Sequence, residues 1–284
     1  MHIYSKKIHA IFLAIIVSII IIAYYQVFLW WYDRCTGIDS YYSHAFLIPF
    51  ISGFLIWKKR LILLAKKPEI CIWGLSIIIF ACLMHIAGTI LYVFSISGFS
   101  FFFLIIGMML YLFGKEITFL MTFPLAYLLF MFPLPLAALN AISFPLKMIV
   151  AELGTKLVQI VGIPIYREGF NISLPLGNLV VGNPCSGLRS LISFLAIGSI
   201  FAYLLPVSMF KKLFMFIISI PIAIASNILR VPILIIIAYK KGIIYASPES
   251  IWHDASGALV FIVGLLLFYL IGNLILRKSS IKYH

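Results

Sequence analysis

An all-α, multi-pass transmembrane helix bundle of about eight spans is the fold class this sequence predicts, with an amphipathic helix and a small hairpin on its outer face. Three observations predict it. Of 284 residues, 64% are hydrophobic and only 10% are charged, where soluble domains run nearer half apolar and about a quarter charged. The apolar residues gather in long runs, and roughly 20 such residues cross about 30 Å of hydrocarbon. The basic residues keep to alternate loops, as cytoplasmic loops do. A mean hydropathy of +1.18 excludes a disordered chain. Four cysteines in 284 residues are too few for a disulfide scaffold.

The runs lie near 8–30, 43–57, 70–89, 91–113, 117–138, 186–206, 213–238 and 254–276. The first is too long for a signal-peptide core and no small-residue cleavage site follows it, so an uncleaved anchor is expected. Residues 140–162 carry Lys147, Glu152 and Lys156 among apolar neighbours, the pattern of an amphipathic helix at a membrane surface. Residues 163–184 are rich in Gly, Pro and Asn with short β-branched runs, which suggests a hairpin. The chain reads as one membrane domain, 1–284, in which 139–184 forms an outer-face insertion.

Loop charges orient this arrangement. Lys6, Lys7, Lys58, Lys59, Arg60, Lys66, Lys67, Lys115, Lys211, Lys212, Arg277, Lys278 and Lys282 fall on one face, with Glu69 and Glu116 their only acids, for a net +11; the other face carries +2. The expectation is a protein of the cytoplasmic membrane with both termini inside. The +13 net charge is thereby a topology signal, and a nucleic-acid partner is not expected.

An ionisable residue inside or at the edge of a span is costly, roughly 2.5–3.5 kcal/mol for Arg at a helix centre on insertion scales, and needs a reason. Cys185 sits in NPCSGLRSL, where Pro184 and Ser186 signal a helix start. A thiol there meets free N–H groups and the positive dipole end, which favour thiolate. Arg189, four residues on, would share its helical face, and Gly187 leaves room for another backbone. Arg230 lies in SNILRVP with Asn227 one turn before it and Pro232 weakening the helix after it. His253 opens the last run in WHDASGALVF. Each also has a structural reading: a small buried thiol, a snorkelling arginine, an interfacial histidine. Three outer helix ends converging on Cys, Arg and His favour chemistry, because nucleophile, anion stabiliser and acid–base are the parts of acyl transfer. A disulfide between Cys35 and Cys185 stays open. Lys240 and Lys241 suit either an acidic recognition residue or anionic lipid. There is no HExxH, no cysteine pair, no phosphate loop and no dinucleotide fingerprint, so neither metal nor cofactor is expected.

CSGLRSL at 185–191, NILRVP at 227–232 and the HxxxG spacing of His253 and Gly257, with YYSHAFLIPFISGFLIWKKR at 41–60 and REG…LPLG at 167–177, resemble the exosortase/archaeosortase family. The resemblance implies a membrane cysteine transpeptidase whose catalytic Cys, Arg and His correspond to Cys185, Arg230 and His253; by their positions Ser186, Arg189 and Asn227 are expected to support them. It implies substrates that are secreted proteins ending in a short motif, one transmembrane helix and a basic tail, with a lipid, another amine or water as acceptor. A purely hydrolytic membrane protease and a non-catalytic export factor for lipid-linked surface polysaccharide are the alternatives.

Overall fold

The computed structural model describes residues 2–37, 40–182 and 186–280, the side chains of 2–10, 13 and 278–280 excepted. Ten α-helices and one three-stranded sheet are found among them. Six helices are long and apolar enough to cross a membrane. The chain divides into two compact units, Met1–Gly37 with Ser43–Pro135, and Ile38–Tyr42 with Leu136–His284.

The first unit holds α1 (His2–Thr36), α2 (Leu47–Lys58), α3 (Arg60–Leu64), α4 (Trp73–Ile90), α5 (Phe94–Leu120) and α6 (Thr122–Tyr127), followed by a 3-10 turn, Leu128–Met131. α4 and α5 touch backbone to backbone. A Cβ on Gly74 would stand 2.4 Å from the Tyr111 nitrogen, and one on Gly88 would stand 2.7 Å from that of Ser97. Hydrocarbon offers no hydrophobic drive to bring helices together, so small residues that permit close packing carry the association. His85 belongs to this packing: its ring stacks on Tyr24 at 4.1 Å, its Nε2 lies 3.1 Å from the Ala23 carbonyl and its Nδ1 hydrogen-bonds the Ser97 hydroxyl.

Two expected boundaries move. The break expected after residue 113 is a kink: α5 continues through Gly114, at φ 80° and ψ 178°, to Leu120. The apolar run 117–138 is not one helix but the end of α5, α6, the turn and the first residues of the next helix. Pro133 and Pro135 stop a helix from passing through. α2, α6 with its turn, and the helix Leu188–Leu204 are apolar but shorter than a full span. Cys35, in α1, is a buried free thiol, so the disulfide left open above is not formed.

The second unit holds α7 (Leu136–Ile160), β1 (Tyr166–Glu168), β2 (Asn171–Leu174), β3 (Gly177–Val180), α8 (Leu188–Leu204), α9 (Met209–Lys241), a 3-10 turn (Ile243–Ala246) and α10 (Ile251–Ser280). The amphipathic helix expected over 140–162 forms as α7, and it is itself among the six helices apolar enough to span. Its Glu152 and Lys156 make an exposed pair at 2.7 Å, one turn apart as helical geometry allows. The expected hairpin is a sheet of order β1-β2-β3, antiparallel throughout.

α9 is the axis of this unit and packs on α7, α8 and α10. Gly154 of α7 lets it approach, since a Cβ there would meet Val231 at 2.8 Å. Ile172, Leu174 and Val181 seat the sheet against Val150 and Val158 of α7 and Val231 and Ile235 of α9. Phe194, Met215, Ile222 and Phe268 close a second core between α8, α9 and α10.

Candidate functional site

Two helices bring the polar residues together. Ser250 starts α10 by accepting a hydrogen bond from the Trp252 N–H at 3.3 Å, satisfying one of the orphan donors of a helix start. That fixes His253 in the first turn, 3% exposed. α9 delivers Arg230 to it. Arg230 Nη2 donates to the His253 carbonyl at 3.0 Å and lies 3.3 and 3.5 Å from Nδ1 and Nε2. Near-equal distances to both nitrogens put the guanidinium over the imidazole face, in line with neither lone pair. Arg230 Nε donates to the Ser256 hydroxyl at 3.4 Å, and that hydroxyl donates to the His253 carbonyl at 2.7 Å. Gly257 makes the room: a Cβ there would stand 3.0 Å from Nη2 and 3.2 Å from Cζ. The HxxxG spacing is thereby explained, because the guanidinium rests on the glycine one turn below the histidine.

Cys185 lies outside the described residues. The residues after it are informative. Ser186, fully buried, accepts from the Leu188 N–H at 3.3 Å. Gly187 takes the left-handed conformation, φ 81°, and a Cβ on it would stand 2.7 Å from Asn227 Nδ2. Only glycine meets both demands without strain. α8 begins at Leu188, so the helical spacing expected to relate Cys185 to Arg189 does not apply. Asn227, 1% exposed, is packed against Gly187. Ser256 and the His253 carbonyl hold the guanidinium.

The Arg230–His253 pair stands between two cavities. One, about 290 Å³, is walled by Asn178–Gly182, Val231, Leu234, Ile243 and Ala246, with His253 on its lining. The other, about 270 Å³, has Arg189, Arg230, Ser190, Ser193 and Asp254 on one part of its wall and Ala258 and Phe261 on the rest. The Asp254 side chain is 85% exposed, and its carboxylate oxygen lies 4.0 Å from His253 Nδ1. Lys240 is exposed at the end of α9. Lys241 stacks on the Trp252 ring at 3.7 Å, a cation–π contact that ties the end of α9 to the start of α10. Ser256 was not singled out from the sequence; a serine three residues after His253, on the face that Arg230 must reach, is its only signal.

Residues 30–270 match the family model described as Transmembrane exosortase (Exosortase_EpsH). That range contains Cys185, Arg230 and His253 and all the described contacts around them. No curated protein and no solved structure matches the chain significantly. A match over most of the chain, on a multi-pass helical protein whose polar residues meet where the shared motifs fall, is decisive: the chain belongs to the transmembrane exosortase family, whose members are membrane sorting enzymes.

Proposed function

We propose that the protein is a membrane cysteine transpeptidase that removes the C-terminal sorting tail of secreted proteins and passes the new carboxyl end to an acceptor. The observation that carries this reading is the Arg230–His253 contact, made between residues 23 apart in sequence on two helices and held by Ser256 and Gly257. Cys185 is the nucleophile. Its sequence neighbour Gly187 packs on Asn227, one turn of α9 before Arg230, which supports the assignment.

The Cys185 thiolate attacks the scissile carbonyl, and negative charge gathers on its oxygen. The half-buried Arg230 guanidinium faces that charge, held in place beforehand by Ser256 and the His253 carbonyl, so the attraction is worth more than in bulk water. The C–N bond breaks as His253 gives a proton to the leaving amine, which departs with the tail helix. The thioester is then opened by an acceptor amine that loses its proton to His253, regenerating the thiolate. With water as acceptor the same steps give a free carboxylate. Holding the tail helix in the same bilayer makes the encounter two-dimensional and presents the bond in register. The site lies on the outer face of the cytoplasmic membrane, both termini are inside, and Arg189, Ser186, Lys240 and Lys241 support substrate binding.

The test uses a secreted reporter domain joined through a randomised eight-residue segment to a 20-residue leucine helix with an arginine-rich end. Co-expression with the wild-type protein is expected to release the tail from a subset of segments, and Cys185→Ala to release none while reaching the membrane normally. Tail release by Cys185→Ala equal to wild type removes the nucleophile. The mass of the released reporter separates the two outcomes: an added acceptor mass means transfer, a bare carboxylate means hydrolysis.

A further inference from the structure

The sheet of the second unit ends on β3, which among the described residues pairs with no strand but β2, and two features fix which of its backbone groups do the pairing. The two-residue turn Pro175–Leu176 joins Leu174 to Gly177 as the pair that exchanges hydrogen bonds. One step past the strand, the Val181 N–H donates to the Phe170 carbonyl at 2.9 Å. Alternate residues 177, 179 and 181 therefore face β2, and Asn178 and Val180 direct their backbone groups the other way. On that side the Val180 carbonyl accepts from the Gly182 N–H at 2.9 Å. The amides of Asn178 and Val180 meet no backbone partner there among the described residues.

The cavity of about 290 Å³ runs along this edge. Five consecutive residues, 178 to 182, line it. Side chains of a strand alternate between faces, so a wall made of consecutive residues is an edge and not a face. Across the cavity stand Val231, Leu234, Ile243 and Ala246, and His253 lies on the same lining. β3 ends five residues before Cys185 in sequence.

We propose that this slot binds the substrate as an added β-strand. The segment just ahead of the substrate's membrane helix pairs its backbone with the β3 edge, setting one small apolar side chain into the slot. At roughly 3.3 Å per residue, residues 178–182 template about four substrate residues. Main-chain pairing supplies affinity and the apolar walls supply selection; a charged side chain is refused at the slot position. The proposal rests on reading the Arg230–His253 pair as the acyl-transfer centre, since the paired strand runs beside it.

The experiment uses the full-length protein in native membranes and the reporter described above, its eight-residue segment carrying benzoylphenylalanine at each position in turn. Photo-adducts are expected on residues 178–182 or 246–248, strong and weak at alternate reporter positions. Val180→Pro deletes one outward N–H and leaves the β2 ladder intact, as proline is tolerated on an edge. It should cut adduct yield about fivefold or more, with Val180→Ala within about twofold of wild type. Ala246→Leu, which narrows the slot and leaves every backbone N–H of β3 in place, should reproduce the loss if Val180→Pro lowers membrane abundance. A repeat of three to four positions, no repeat, adducts elsewhere or no adducts overturn the proposal, as does equal yield from all three variants. Tail release is read in the same membranes. Alternating adducts without release keep the docking mode and sink the transferase reading; release without slot adducts does the reverse.

Discussion

Arg230 meets three demands that a lysine cannot meet together. One nitrogen donates to Ser256, another to the His253 carbonyl, and the plane lies on Gly257 and over the imidazole. An ammonium is a point charge with no planar fork. Arg230→Lys is therefore expected to keep the protein in the membrane and lower tail release about 10²- to 10³-fold, the loss typical of an oxyanion donor; release comparable to wild type would show that charge alone suffices. Arg230 and His253 were legible in the sequence because ionisable groups in apolar runs are expensive and so conspicuous. Ser256 was not. A serine in an apolar helix commonly bonds its own backbone, and Ser256 does so while also taking the guanidinium. Only the approach of α9 separates that second use from the first.

Helix existence was legible from apolar runs, and helix interruption less so. Gly114 reads in sequence as a loop residue, but its φ of 80° is absorbed inside α5, where a Cβ would meet the Glu69 carbonyl at 2.6 Å. Which glycines matter also depends on what lies opposite. Gly74 faces the Tyr111 backbone at 2.4 Å from an added Cβ, and Gly53 has nothing within 4 Å. Gly74→Ala is expected to part α4 from α5 and lower stability by about 1–3 kcal/mol, as overpacking does. Gly53→Ala, within α2, should leave it unchanged or raise it by up to about 1 kcal/mol, since alanine is the better helix former. Thermal unfolding of the purified protein in detergent checks both; equal loss from the two would mean that helix contact does not decide the outcome. Strand order was likewise beyond the sequence: Gly, Pro and Asn announced a turn-rich segment, but the addition of β1 to the hairpin depends on the pairing of Arg167 with Ile172, which no local pattern encodes.

Charge is the property that addresses the protein as a whole. Lys66 and Glu116 form a bridge in the first unit, on the side assigned to the cytoplasm, and Ser247 lies beside the apolar slot in the second. With the four native cysteines replaced by alanine, Glu116→Cys is expected to react with an impermeant maleimide only after the cells are opened, and Ser247→Cys in intact cells. The opposite pattern would invert the orientation. Loop charges are what this expectation rests on. The partition into two units was not legible in the sequence, because apolar runs look alike whichever neighbours they pack on.

All the described members of the polar cluster, and both cavities beside it, fall in the second unit. Bilayer thickness bears on both halves, because each contributes three of the six helices long and apolar enough to span. The polar cluster bears on the second alone, where a single added methyl at Gly257 would press on the guanidinium. One half thus answers to lipid and to its own close-packed glycines, and the other must satisfy lipid and a fixed polar geometry in the same helices.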